Sequence, residues 1–148
     1  MRNLFLLAGL FALIATGCQS ADKQVPEIAS DFCACFTDME KNMSTQTKDI
    51  MHKAAVSNDP ENSMKGDVEA LTDEEKMKVG TEMMSLGSMQ DKDSEVGRCM
   101  EDVAKKYDKA KTFNEKKFME KLIKELEGKP ACRFTADLMR IGLKTQEK

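Results

Sequence analysis

The chain has 148 residues, 33% of them charged, with a net charge of −3 and a mean hydropathy of −0.51. That length suits one domain, and the excess of acid over base argues against nucleic acid as a partner, because phosphate binding needs a positive patch. Trp is absent, aromatics make up 5% and Pro only three residues, while Lys, Glu, Met, Ala and Leu dominate, a composition that favours an all-α fold.

The first element is not part of that domain. Arg2 gives a positive start, Leu4 to Ala15 is an apolar run interrupted only by Gly9, and Ala15-Thr16-Gly17-Cys18 closes it with small residues before a cysteine. The run is about twelve residues, too short for the roughly 20 that a spanning helix needs, so it reads as a secretory signal. Residues 1–18 resemble the signal of a bacterial lipoprotein, although Ala15 stands where Leu is commoner. The resemblance implies that residues 1–17 are removed and that Cys18 becomes the acylated N-terminus. Its acyl chains would exceed the two-chain minimum for stable anchoring in a lipid bilayer. In the sorting rule of that class, Gln19 in place of Asp implies the outer rather than the inner membrane. Loss of residues 1–17, whose one charged side chain is Arg2, would leave 131 residues with a net charge of −4.

Residues 18–25 then form a short polar tether, reaching at most roughly 28 Å. The helical domain is expected over 26–148, opening at Pro26. Ile28, Phe32, Phe36, Met39, Met43, Ile50 and Ala54 recur at helical spacing, which predicts one long helix to about Ser57. Residues 58–70 read as the longest loop. Thr72-Asp73-Glu74-Glu75 is a capping box for a second helix, with Met77 and Met84 expected inward. Ser94 caps a third helix carrying Val96, Cys99, Met100, Val103 and Tyr107. Thr112 or Asn114 caps a fourth, with Phe113 stapling onto Phe118, and Gly128 and Pro130 end it. A fifth opens at Pro130 or Ala131 and buries Phe134, Leu138 and Ile141. The economical arrangement is an up-down bundle of about five helices.

With Cys18 set aside, Cys33, Cys35, Cys99 and Cys132 remain, an even number that fits two disulfides in an exported protein. Alternating helix directions bring all four to one end of the bundle. Residues two apart on a helix point about 200° apart, so Cys33 and Cys35 suit different neighbours, and a bridge between them would need local unwinding. Cys35 and Cys99 are expected nearer the inward faces, Cys33 and Cys132 at the periphery. The pairing favoured is Cys35–Cys99 with Cys33–Cys132. The alternative use of Cys33 and Cys35 is thiol redox exchange, but reactive pairs more often take a Cys-x-x-Cys spacing at a helix start.

Eleven methionines follow the signal, and thioethers suit Cu(I) and similar soft cations. Met39, Met43 and Met51, with the single histidine His52, define a copper- or silver-binding alternative. Against it, methionine also fills irregular gaps in aromatic-poor cores. Solvent-facing methionines, for which Met51, Met83 or Met89 are candidates, would instead make an adaptable surface for a partner helix. Asp91-Lys92-Asp93-Ser94-Glu95 fails as a calcium loop, because position six is Val96 and position twelve is Asp102. No nucleophile elbow, phosphate loop or zinc-protease motif is present in the sequence. The sequence thus points to a lipid-anchored, non-enzymatic interaction or structural module of the cell envelope. It is expected to need no cofactor and to act on an envelope protein partner.

Overall fold

The computed structural model describes residues 21–87, 89, 91–107 and 116–145, so Cys18, the apolar run before it and Thr112 to Asn114 lie outside the described residues. Every regular element among them is helical. In chain order they are α1 (Ala21–Lys41), α2 (Thr45–Val56), α3 (Pro60–Glu69), α4 (Asp73–Gly87), α5 (Glu95–Lys106) and α6 (Lys116–Glu127). A 3-10 turn (Pro130–Cys132) then leads into α7 (Arg133–Thr145). The all-α class is as expected; the number of helices is seven among the described residues rather than five.

Three local features depart from the expected layout, and the second and third supply the two additional helices. First, α1 starts at Ala21, and Val25, assigned above to the tether, is buried. Second, the long first helix is broken at Asn42–Ser44. Ser44 leaves the helical region (φ −66°, ψ 152°) and its hydroxyl accepts from the Thr47 backbone N–H, the geometry of a helix N-cap. The apolar stripe survives the break, because Met43 in the turn is buried alongside Ile50 and Ala54 of α2. Third, the expected loop contains α3. Asp59 caps it by accepting from the Asn62 N–H, and Pro60 occupies the first turn, where its missing N–H costs nothing.

Other ends form as the sequence indicates. Thr72 and Glu75 exchange hydrogen bonds reciprocally, the Thr72 N–H to Glu75 at 2.9 Å and the Glu75 N–H to Thr72 Oγ1 at 3.4 Å. Ser94 accepts from the Gly97 N–H at 2.9 Å. Gly97 is required there: a Cβ would stand 2.2 Å from the Asp91 carbonyl oxygen, which itself accepts from the Ser94 N–H.

Two clusters of buried side chains organise these helices. The larger lies among α1, α5, α6 and α7, with Ile28, Ala29, Leu122 and Leu126 fully enclosed. Phe118, Leu122 and Leu126 face inward on α6 as their spacing predicts. The smaller is centred on Met43, Met51 and Phe134 and joins the end of α1 to α2, α3, α4 and α7. Helix α7 packs against α2 as well as α1 and α6, so it carries the chain's second group of helices on the first. On α4 the inward residue is Val79, flanked by half-buried Met83 and Leu86. Met77 and Met84, expected inward, are instead 71% and 79% exposed. Along α4 apolar residues occur on both sides, so no single stripe fixes which face turns in.

Candidate functional site

The sequence-selected cysteines meet in two pairs. Cys33 lies against Cys132 with a Cα separation of 5.3 Å, and Cys35 against Cys99 at 5.6 Å, both at disulfide distance. These are the partners favoured above, but the reasoning about depth is reversed. Cys33 and Cys132 are the buried pair, whereas Cys35 and Cys99 are half-buried. Cys33 turns toward the core shared with α6 and α7, while Cys35 turns toward α5, which packs on α1 at the flank. The four residues do share one level of the molecule. That level is the start of α5 and of α7 but the middle of α1, not its base.

His52, on α2, projects between that helix and α7. Its Nδ1 lies 3.0 Å from Asp137 Oδ2, and its Nε2 lies 2.6 Å from Arg133 Nη2. Guanidinium offers only donors. Nε2 is therefore the accepting nitrogen, and Nδ1 carries the proton given to Asp137. Asp137 is 5% exposed, so the imidazole satisfies a buried carboxylate that would otherwise be costly. With Glu40, Lys48, Asp49 and Arg133 these groups line a cleft of about 200 Å³ whose wall includes Phe134.

An Asp–His pair is the arrangement by which a base is oriented for proton transfer. Here the outer nitrogen is occupied by Arg133, and among the described residues no hydroxyl or thiol hydrogen-bonds to it. The cluster clasps α2 to α7. Sequence reasoning found His52 but no partner for it; Asp137 is 85 residues away, and nothing local marks it.

Of the soft-metal set, Met39, Met43 and Met51 do come together in the smaller cluster, joined by Met64 and Met83. His52 does not join them, both of its nitrogens being engaged elsewhere. Among the described residues no three His, Cys, Asp or Glu side chains converge as a metal site.

Two further polar ties position the frame. Asp31 on α1 accepts from Lys106 Nζ at 2.7 Å and from the Tyr107 hydroxyl at 2.8 Å. The Lys106 hydrogen bond first, then that of Tyr107, holds the Asp31 carboxyl below its ordinary range. Glu82 on α4 accepts from Thr47 Oγ1 at 2.5 Å, from Ser44 Oγ at 2.7 Å and from the Ser44 N–H at 3.0 Å. Burial pushes its pKa up, but those hydrogen bonds together outweigh it and the net direction is down.

A wider groove of about 640 Å³ runs between α2, α6 and α7. Much of its positive charge is already engaged. Arg140 pairs with Glu127, and Lys144 donates to the Ala55 and Ser57 carbonyls at 2.7 and 2.6 Å, closing the end of α2. Among the described residues no helix is long and apolar enough to cross a membrane. No protein family, curated protein or solved structure matches this chain.

Proposed function

We propose that this chain is a lipid-anchored protein of the bacterial envelope, held in the outer rather than the inner membrane through acylated Cys18. In this reading it is a non-enzymatic interaction or structural module for an envelope protein partner. The observation that carries the reading is the short apolar run ending in Gly17-Cys18. Two cysteine pairs at disulfide distance agree with a compartment that permits them. The exposed Met77 and Met84 on one face of α4 supply adaptable apolar surface of the kind that accommodates partner helices. Structural bridges explain the cysteines better than thiol exchange does, since buried Cys33 and Cys132 offer a partner thiol little access.

The test is made on the full chain produced in a bacterial host. Mass spectrometry of the N-terminal peptide is expected to show a diacylglyceryl, N-acylated Cys18, with the protein in the detergent phase of a phase-separation assay. Cys18→Ala should move it to the aqueous phase. A product beginning at any other residue, or an alanine variant that partitions like the parent, overturns the reading.

A further inference from the structure

The two cores use methionine differently. In the larger one the buried positions are aliphatic, aromatic or paired cysteine, and methionines sit at its partly buried margin, with Met139 the single buried exception. That is gap filling. In the smaller one the buried centre is itself Met43, Met51 and Phe134, ringed by half-buried Met39, Met64 and Met83. Five of its nine side chains are methionine, against five of twenty-three in the larger core. Methionine is a weak choice for such a centre, because it loses more rotamer entropy on ordering than Leu or Ile and specifies packing poorly.

The five residues come from five separate stretches: the end of α1, the turn after it, α2, α3 and α4. Only Met39 and Met43 are related by helical spacing; the fold brings Met51, Met64 and Met83 to them. Thioethers are neutral, polarisable donors that discriminate against hard divalent ions and favour Cu(I)-like cations. The half-buried outer three connect the centre to solvent. Cys33, Cys35, Cys99 and Cys132 cannot compete for the cation, being paired elsewhere in the molecule.

We infer that the Met39–Met43–Met51–Met64–Met83 cluster is a binding site for one soft monovalent cation, Cu(I) or Ag(I), held by thioether sulfur without His52. This departs from the sequence-level set in two respects: it adds Met64 and Met83, and it leaves His52 to its clasp with Asp137 and Arg133. The site is independent of how the chain is anchored or what partner it meets.

The probe is Ag(I), which brings no redox change to the disulfides, added in chloride-free buffer to the purified full-length chain in mild detergent. With methionine methyl groups labelled by ¹³C, the five cluster resonances are expected to shift and saturate at one equivalent. Those of Met77 and Met84 should stay in place. Met43→Leu with Met51→Leu keeps apolar volume and is expected to weaken Ag(I) binding by roughly tenfold or more. The Met77→Leu, Met84→Leu chain should bind like the parent. Should the first pair disturb folding, as read by circular dichroism, single Met39→Leu and Met64→Leu substitutions at the margin are expected to weaken binding severalfold. The inference is overturned if no resonance saturates, if only Met77 and Met84 respond, or if affinity is indifferent to leucine within the cluster. It is equally overturned if His52→Gln abolishes binding while the leucine variants retain it.

Discussion

Replacing Cys33 and Cys132 together by alanine is expected to lower unfolding stability by about 4 kcal/mol, read as a fall in the urea midpoint with a steeper slope, because the unfolded chain loses a cross-link and exposes more surface. The bridge spans 99 residues and encloses the one between Cys35 and Cys99, which spans 64. With the inner bridge in place, the outer one closes only about 35 further residues, so its entropic contribution is below that of an isolated loop of its full length. Removing the inner pair instead should cost a similar amount in chain entropy. The outer pair carries an additional packing loss, because Cys33 and Cys132 are both buried in the core. Its loss should therefore be the larger of the two, and the chain lacking both is expected to be largely unfolded at 37 °C, as small disulfide-bonded domains often are without their bridges. A midpoint insensitive to the outer pair would show that the core closes without it.

Glu82→Ala is expected to cost about 2–4 kcal/mol, because it removes the shared acceptor of the Ser44 N–H, the Ser44 hydroxyl and the fully buried Thr47 hydroxyl, leaving the two hydroxyls only each other as acceptor, at 3.1 Å. Glu82→Gln, which keeps one accepting oxygen, should cost roughly half as much. The sign of the pH effect follows from the direction of the shift. The folded-state pKa of Glu82 lies below its ordinary value of 4.5, so its contribution is complete above that value and is lost as pH falls through the folded-state pKa. Urea midpoints between about pH 3 and pH 7 should show a steeper acid loss in the parent than in the glutamine variant. Parallel curves would mean that the Ser44–Thr47 turn does not depend on the carboxylate.

What the sequence made legible was local. The Thr72–Glu75 box and the Ser94 cap are spelled out within four residues each, and both form. The α6 stripe of Phe118, Leu122 and Leu126 needs only helical periodicity. The break at Ser44 was hidden because the apolar spacing runs straight through it, although Asn42-Met43-Ser44-Thr45 holds the cap that makes it. Helix α3 was signalled by Asp59-Pro60, a capping residue followed by a first-turn proline, but its weakly apolar sequence reads as loop. Met77 and Met84 were misplaced because a helix with methionine on opposite sides gives periodicity no basis for choosing. The His52–Asp137 clasp and the five-methionine cluster depend on which helices end up adjacent. Such contacts have no short-range signature.

The inner bridge has a topological consequence. Between Cys35 and Cys99 the chain traces the last turns of α1, all of α2, α3 and α4, and the first turn of α5. That excursion is pinned at both feet, while its grip on the remainder runs through the methionine-centred core, the His52 clasp and the Lys144 cap. Neither bridge joins those three helices to α7, so their opening as a tethered flap is expected to leave the sulfur-linked frame in place. Amide hydrogen exchange should register a lower opening free energy for α2 to α4 than for α1 and α6. Reattachment needs no search through open space, since the loop's own ends hold it beside its berth.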